Sequence, residues 1–321
     1  MNQLTTFPFE LVENSETLAF QPMGFTLRIT SNSPAILAAA QTSFGRFGAT
    51  EATASPDFTF RLFEHNLTEG EGPPSSPVFR RDGHLLYQTT GPSSTLVVDV
   101  AAGVAFGNFS AATLAHATYF RWHFLELAFF MMLEGRGLMG VHGAALAHNG
   151  KAILLRAHSG GGKTTLAYAG ARGKFQALAE DVVWLDAARH LWWGMPWSFH
   201  LLPDAKRLFP ELAPYAPILQ TNAELKLEVD LETLRPDSTT VAARPQAILF
   251  VERVAGGASR LEPVDPTQAR RLWPAGQTGL EMQLPHHAQH IERLLDQNKL
   301  YRFYFGDDID RGVELLGPLF E

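Results

Sequence analysis

The chain has 321 residues, with 26 Lys and Arg against 33 Asp and Glu for a net charge of −7, and it contains no cysteine. Disulfide frameworks, zinc knuckles, iron–sulfur clusters and thiol catalysis are therefore excluded, and an acidic chain offers nucleic acid no global basic footprint. With 45% hydrophobic residues, the length supports one large core or two modest ones.

The opening stretch, MNQLTTFPFELVENSE, has no basic segment followed by an apolar one, so no secretory leader is expected. The most apolar run, Phe124–Leu133, is interrupted by Glu126 and is too short to span a bilayer. The expectation is a globular, cytoplasmic protein with neither a membrane nor a nucleic-acid partner.

Residues 1–109 are expected to form a small α+β module. FTLRIT at Phe25–Thr30 and FTFRLF at Phe58–Phe63 alternate apolar and polar residues, the period of a half-buried strand. Between them, Ser33 has the composition of an N-cap, and Pro34 suits the first position of a helix running to about Phe44. TEGEGPPSSP at Thr68–Pro77 reads as a mobile loop. HLLYQTT, STLVVDV and GVAFGNF follow as successive strands, so an antiparallel sheet is expected. One long helix is predicted from Ser110 to Gly135. It is apolar nearly all round, which makes residues 110–137 a buried connecting helix.

The character changes near residue 137, and residues 138–321 read as a second, α/β domain. LMGVHGAALAHNGKAILLRA suggests two strands joined by a turn at Asn149-Gly150. A glycine-rich loop and a helix come next, and FQALAEDVVWLD then reads as strand, carboxylate pair, strand. RHLWWG is a further short strand. Helices are predicted over Pro266–Leu272, Pro285–Gln297 and Ile309–Phe320.

The glycine-rich loop carries the strongest chemical signal. An apolar strand, Ile153–Ala157, leads into His158-Ser159-Gly160-Gly161-Gly162-Lys163-Thr164-Thr165, and helical spacing starts at Lys163. The phosphate-loop pattern is G-x-x-x-x-G-K-[ST] between a strand and a helix. Ala157 stands in place of its first glycine, and the rest matches. Glycines let the backbone curl so that several N–H groups face one anion. The helix N-terminus adds its positive dipole end. Lys163 sets a point charge against the outer phosphates, and the Thr164 hydroxyl can ligate Mg²⁺. Residues 159–165 are thus the expected ATP-binding segment.

Glu180-Asp181 follow the next strand, where ligand sites gather in α/β sheets. One carboxylate can hold Mg²⁺ while the other accepts a proton from an attacking hydroxyl. His142, on the strand before the loop strand, is a candidate for proton transfer or phosphate contact. Lys226, Arg235 and Arg244 are candidates for phosphate or substrate contacts, Lys226 and Arg244 foremost. His286 and His290 have the i, i+4 spacing of zinc ligands, but no third ligand is evident. Trp184, Trp192, Trp193 and Trp197 read as core or interface packing.

Together these motifs resemble the catalytic domain of the HPr kinase/phosphorylase-like family. The matching pieces are His142-Gly143, the loop Ser159–Thr164, Arg172-Gly173 and Glu180-Asp181. WGMPWSFHLLPDAKRLFPEL, KLEVDL and RPQAILFVER also look like the stand-alone branch of that family, and the resemblance spans roughly residues 138–305. It implies a phosphoenolpyruvate-carboxykinase-like P-loop fold with a mixed sheet. The implied activity is Mg²⁺-dependent phosphoryl transfer from ATP to a serine hydroxyl of a peptide or protein, or to a small hydroxyl compound. By the same resemblance, Glu180 is the base, Asp181 joins Thr164 at Mg²⁺, and His142 assists. The family usually has Asp-Asp, so Glu180 is one methylene longer. No clear copy of its dephosphorylation signature is present, which favours a kinase. The chain could also form a homo-oligomer. The alternative, favoured by Ala157 and Glu180, is a nucleotide-binding regulatory or adaptor protein with little turnover.

Overall fold

The structure, a computed structural model, describes residues 15–50, 55–65, 76–91, 93–220, 224–273 and 285–321, with Pro285 and His286 described by backbone alone. Most of the loop expected at Thr68–Pro77 lies outside the described residues. The chain divides into two compact units, Met1–Arg136 and Gly137–Glu321.

In the first unit, the described residues include strands β1 (Glu16–Phe20), β2 (Leu27–Ser31), β3 (Phe58–His65), β4 (Val78–Asp82), β5 (Leu85–Thr90), β6 (Ser94–Asp99) and β7 (Val104–Ser110). They form one sheet in the order β1-β2-β3-β7-β6-β5-β4. The sheet is mixed, not antiparallel: β2 pairs with β3, and β3 with β7, in parallel. Parallel neighbours need a crossover, and helix α1 (Pro34–Phe44) supplies the first. Ser33 precedes α1 as expected but does not cap it, because its hydroxyl is donated to Glu64. Phe44 and Phe58 both pack edge-on against Phe129, with ring centroids 5.3 and 5.8 Å away.

The single helix expected over Ser110–Gly135 is broken. α2 (Ala111–Leu114) is capped by Ser110 and ends before His116, whose φ/ψ of −98°/70° is not helical. α3 (Ala117–Phe120) passes through a π-helical turn, Arg121–Glu126, into α4 (Leu127–Gly135). The wider turn aligns residues five apart. Arg121 Nη2 lies 3.1 Å from Glu126 Oε1, and the same two side chains hold the Ser43 hydroxyl at 3.0 and 2.7 Å. α4 buries Ala128, Phe129, Met132 and Leu133, while Leu127, Phe130 and Met131 are half-buried. It therefore has one core face and is not sealed all round.

The second unit is mixed α/β. Its larger sheet holds β8 (Met139–His142), β9 (Ala144–His148), β10 (Lys151–Arg156), β11 (Gln176–Ala179), β12 (Val182–Asp186) and β13 (Leu191–Trp193). A smaller sheet holds β14 (Phe199–Leu201), β15 (Ile218–Leu219) and β16 (Leu225–Val229), in the order β14-β16-β15. β17 (Ala242–Arg253), β18 (Arg260–Pro263) and β19 (Lys299–Phe305) complete the larger one. The helices are α5 (Lys163–Gly173), α6 (Leu231–Leu234), α7 (Pro266–Leu272), α8 (Pro285–Gln297) and α9 (Ile309–Glu314).

The segment expected to make two strands before the loop makes three, because Gly143 separates β8 from β9. A Cβ there would lie 2.8 Å from Leu154 Cδ1 and 3.0 Å from the Leu155 carbonyl oxygen, so only glycine lets the chain cross so close to β10. β10 is buried on both faces. Ile153 and Leu155 join Leu166 of α5 in one apolar layer, and Ala152 and Leu154 join Ala269 of α7 and Leu295 of α8 in the other. Burial on both sides explains the unbroken apolar run of this strand. Each fully buried Leu or Ile contributes about 1.5–3 kcal/mol.

Strand direction places the candidate site. β10 pairs in parallel with β17, and β17 with β19. β11 is antiparallel to β9, and β9 to β10, so β11 points the same way as β10. The carboxyl ends of β10, β11, β17 and β19 thus share one edge of the sheet, the position where α/β sheets present ligand sites.

Candidate active site

β10 ends at Arg156, and α5 begins at Lys163. Between them the Gly161 N–H donates to the His158 carbonyl at 2.9 Å, closing a tight turn. Gly160 and Gly162 have φ of +77° and +84°, values that L side chains rarely adopt. Gly161 is glycine for want of room, since a Cβ would meet Ala157 Cβ at 2.8 Å and the His158 carbonyl oxygen at 3.0 Å. Ala157 fits at the pattern's first glycine because it is buried in the α5 layer, next to the gap that Gly161 leaves. The first N–H groups of α5 have no partner inside the helix and open on this loop. His158, Ser159 and Gly160 are exposed, and Lys163, Thr164 and Thr165 in the first turn are half-buried.

Glu180 and Asp181 leave the carboxyl end of β11 and make different contacts. The Thr164 hydroxyl donates to Glu180 Oε1 at 3.1 Å. The other Glu180 oxygen, Oε2, lies 3.4 Å from His200 Nδ1. Asp181 Oδ1 lies 3.1 Å from His142 Nδ1. The Glu180 side chain is 13% exposed and that of Asp181 59%, so Asp181 is the carboxylate open to an incoming group. The backbone locks the pair in place. The Gly143 N–H donates to the Asp181 carbonyl at 2.8 Å, and Val182 is the β-partner of His142.

The charges reinforce this arrangement. Desolvation pushes the Asp181 carboxyl up, but the hydrogen bond and charge of His142, with the charges of Lys163 and Lys226, hold it below the ordinary carboxylate range. Desolvation pushes the His200 imidazole down. The hydrogen bond and charge of Glu180 and the charge of Glu228 outweigh it against Lys226, so His200 titrates above an ordinary histidine. Lys226 on β16 pairs with Glu224 at 3.1 Å and acts electrostatically on both Asp181 and His200.

Sequence reasoning missed two residues here. His200 alternates with buried Phe199 and Leu201 along β14, and that alternation is the signal that could have exposed it. Arg156 ends β10 and is 1% exposed. Its guanidinium donates to the His142 carbonyl and stacks over Trp273, 4.3 Å from the ring centroid. A buried arginine inside an apolar strand reads as a strand end, not as a support for a histidine fourteen residues earlier.

Other candidates lie elsewhere. Arg244 is the β-partner of Lys151 at the amino end of β10, while the loop leaves the carboxyl end, roughly 17 Å along the strand. Arg235 donates to the Phe175 carbonyl and anchors the entry to β11. Trp184 and Trp192 are core residues, 1% and 2% exposed. The His286 side chain lies outside the described residues. Among the described residues, no group of three or more His, Asp or Glu is arranged to hold a metal, and no helix is long and apolar enough to cross a membrane.

No protein-family model matches the chain, and no curated protein does. Among solved structures, the Hpr(Ser) kinase/phosphatase from Coxiella burnetii is similar over 56% of this chain and 93% of its own, at 15% sequence identity and a TM-score of 0.29.

Proposed function

We propose that the second unit is an ATP- and Mg²⁺-dependent kinase that phosphorylates a serine hydroxyl of a peptide or protein. The observation that carries this reading is the 3.1 Å contact between the Thr164 hydroxyl and Glu180 at the mouth of the glycine loop. A hydroxyl in the first turn of the loop helix, facing a carboxylate from the neighbouring strand, is the arrangement P-loop phosphotransferases use. The residues fit both ligands. Gly160–Gly162 keep the cradle free of side chains, and two hard oxygen donors suit Mg²⁺, which usually takes one or two carboxylates plus substrate phosphates. When bound, Mg²⁺ would neutralise phosphate charge and so lower the barrier to transfer.

The chain's own residues then divide the work. Loop amides and the α5 N-terminus bind the phosphates, and Lys163 holds their outer oxygens. Thr164 and Glu180 form the metal side. Asp181, exposed and oriented by His142, accepts the proton of the acceptor hydroxyl as that oxygen bonds to the γ-phosphorus and the bond to the bridging oxygen breaks, releasing ADP. This exchanges the carboxylate roles implied by the family resemblance, because Glu180 is the one beside Thr164.

The test is mass spectrometry of serine-containing peptides incubated with the protein, ATP and Mg²⁺, with Lys163→Ala as control. A gain of one phosphate that the control lacks is expected. Tight Mg²⁺–ATP binding with no ADP release across the panel would replace the kinase with the regulatory reading.

A further inference from the structure

We infer that His200 is a positioning residue that holds the Glu180 carboxylate against Thr164 and so sets how strongly Mg²⁺ promotes nucleotide binding. The inference rests on the kinase reading above and deepens its metal side.

Glu180 is a long carboxylate, with one more rotatable bond than the aspartate a short turn would place there. A side chain of that freedom needs two anchors to present one oxygen in a fixed place. Thr164 supplies the anchor at Oε1, 3.1 Å away, and His200 the anchor at Oε2, 3.4 Å away. The three residues come from different elements, α5, the end of β11 and β14, yet those elements share one frame. Phe199 and Leu201, the neighbours of His200, are 0% and 2% exposed and pack in the same apolar layer as α5. Phe199 meets Tyr168 of α5 edge-on at 5.8 Å. Period-two alternation therefore turns the His200 ring to the opposite face, toward Glu180. β14 is itself pinned, with His200 the register partner of Glu228 on β16. Because β14 packs through Phe199 on α5, the helix that carries Thr164, the distance between the two anchors of Glu180 is fixed by packing. Partners of this kind, one shell removed from a metal, typically change metal affinity 10- to 100-fold when removed.

The experiment titrates a fluorescent ATP analogue into the full chain, once with Mg²⁺ and once with EDTA. For the wild-type chain, Mg²⁺ should tighten binding, and Lys163→Ala should abolish it. His200→Ala should reduce the Mg²⁺-dependent gain about 10-fold while leaving affinity in EDTA unchanged, which also shows that the loop is folded. His200→Asn, which keeps an N–H near the place of Nδ1, should restore most of the gain. The inference is overturned if His200→Ala keeps the full Mg²⁺ gain, if it loses affinity equally in EDTA, or if His200→Asn is no better than His200→Ala. Failure of the wild-type chain to bind, or binding that survives Lys163→Ala, would instead overturn the kinase reading and this inference with it.

Discussion

Asp181 and Glu180 are adjacent in sequence and carry the same charge, yet their surroundings give them different contacts, and in the proposed reading different roles. Asp181 is open and faces His142, while Glu180 is enclosed by Thr164 and His200. Asp181→Asn should therefore cut phosphoryl transfer by about 10²- to 10⁴-fold and leave nucleotide affinity nearly intact, which single-turnover transfer and equilibrium titration can separate. Equal losses in both would place Asp181 at the nucleotide and not at the acceptor. The loop supplies a second residue-scale prediction. Gly161→Ala would bring a methyl to 2.8 Å from Ala157 Cβ and 3.0 Å from a carbonyl oxygen. Relief of such overpacking costs about 1–3 kcal/mol, so thermal stability should fall and nucleotide binding with it. A variant that binds ATP like the wild type would show that the loop has slack the geometry denies.

At the scale of the element, α4 carries an acid in an apolar helix. Burial pushes the Glu134 carboxyl up to about 7, against the opposing charge of Arg81, and its Oε1 has no hydrogen-bond partner among the described residues. The sign of the linkage follows. The folded state holds the proton more tightly than the unfolded chain, whose ordinary value is 4.5. The stabilisation is full below that value and is lost as pH rises to about 7, by at most about 3 kcal/mol. Glu134→Gln is neutral at every pH, so it should flatten this part of the stability profile between pH 4.5 and 7.5 in urea melts. An unchanged slope would mean that the carboxyl is hydrated. The Ser110–Gly135 stretch that ends in this helix shows the limit of periodicity. Its apolar spacing reads as one rod, whereas the π-turn that pairs Arg121 with Glu126 depends on Ser43 from another element.

At the scale of the whole molecule, every residue of the proposed site belongs to Gly137–Glu321. Bound nucleotide should therefore slow amide hydrogen exchange around residues 157–166 and along β11, and leave Met1–Arg136 unchanged. Saturation at about 100 times Kd is worth about 2.7 kcal/mol of protection. Comparable slowing in the first unit would mean that it takes part in the site.

Much of this was legible because it is local. The glycines, Lys163 and Thr164 mark by spacing alone the tight glycine turn between β10 and the start of α5. Pro34, Pro266 and Pro285 mark helix starts, where a missing N–H and a fixed φ favour proline. The acid pair was visible too, as a polar interruption between two apolar strands. What stayed hidden were pairings between residues far apart in the chain. The parallel pairing of β2, β3 and β7 and the insertion of β17 beside β10 depend on which edges meet in three dimensions. So do the support of His142 by Arg156 and the division of Glu180 and Asp181 between Thr164 with His200 and His142. Local spacing is written in the backbone geometry of a single segment and so can be read from residues a few positions apart. Strand order and side-chain partnership are instead chosen by the packing of distant segments into shared apolar layers, and only the folded chain makes that choice.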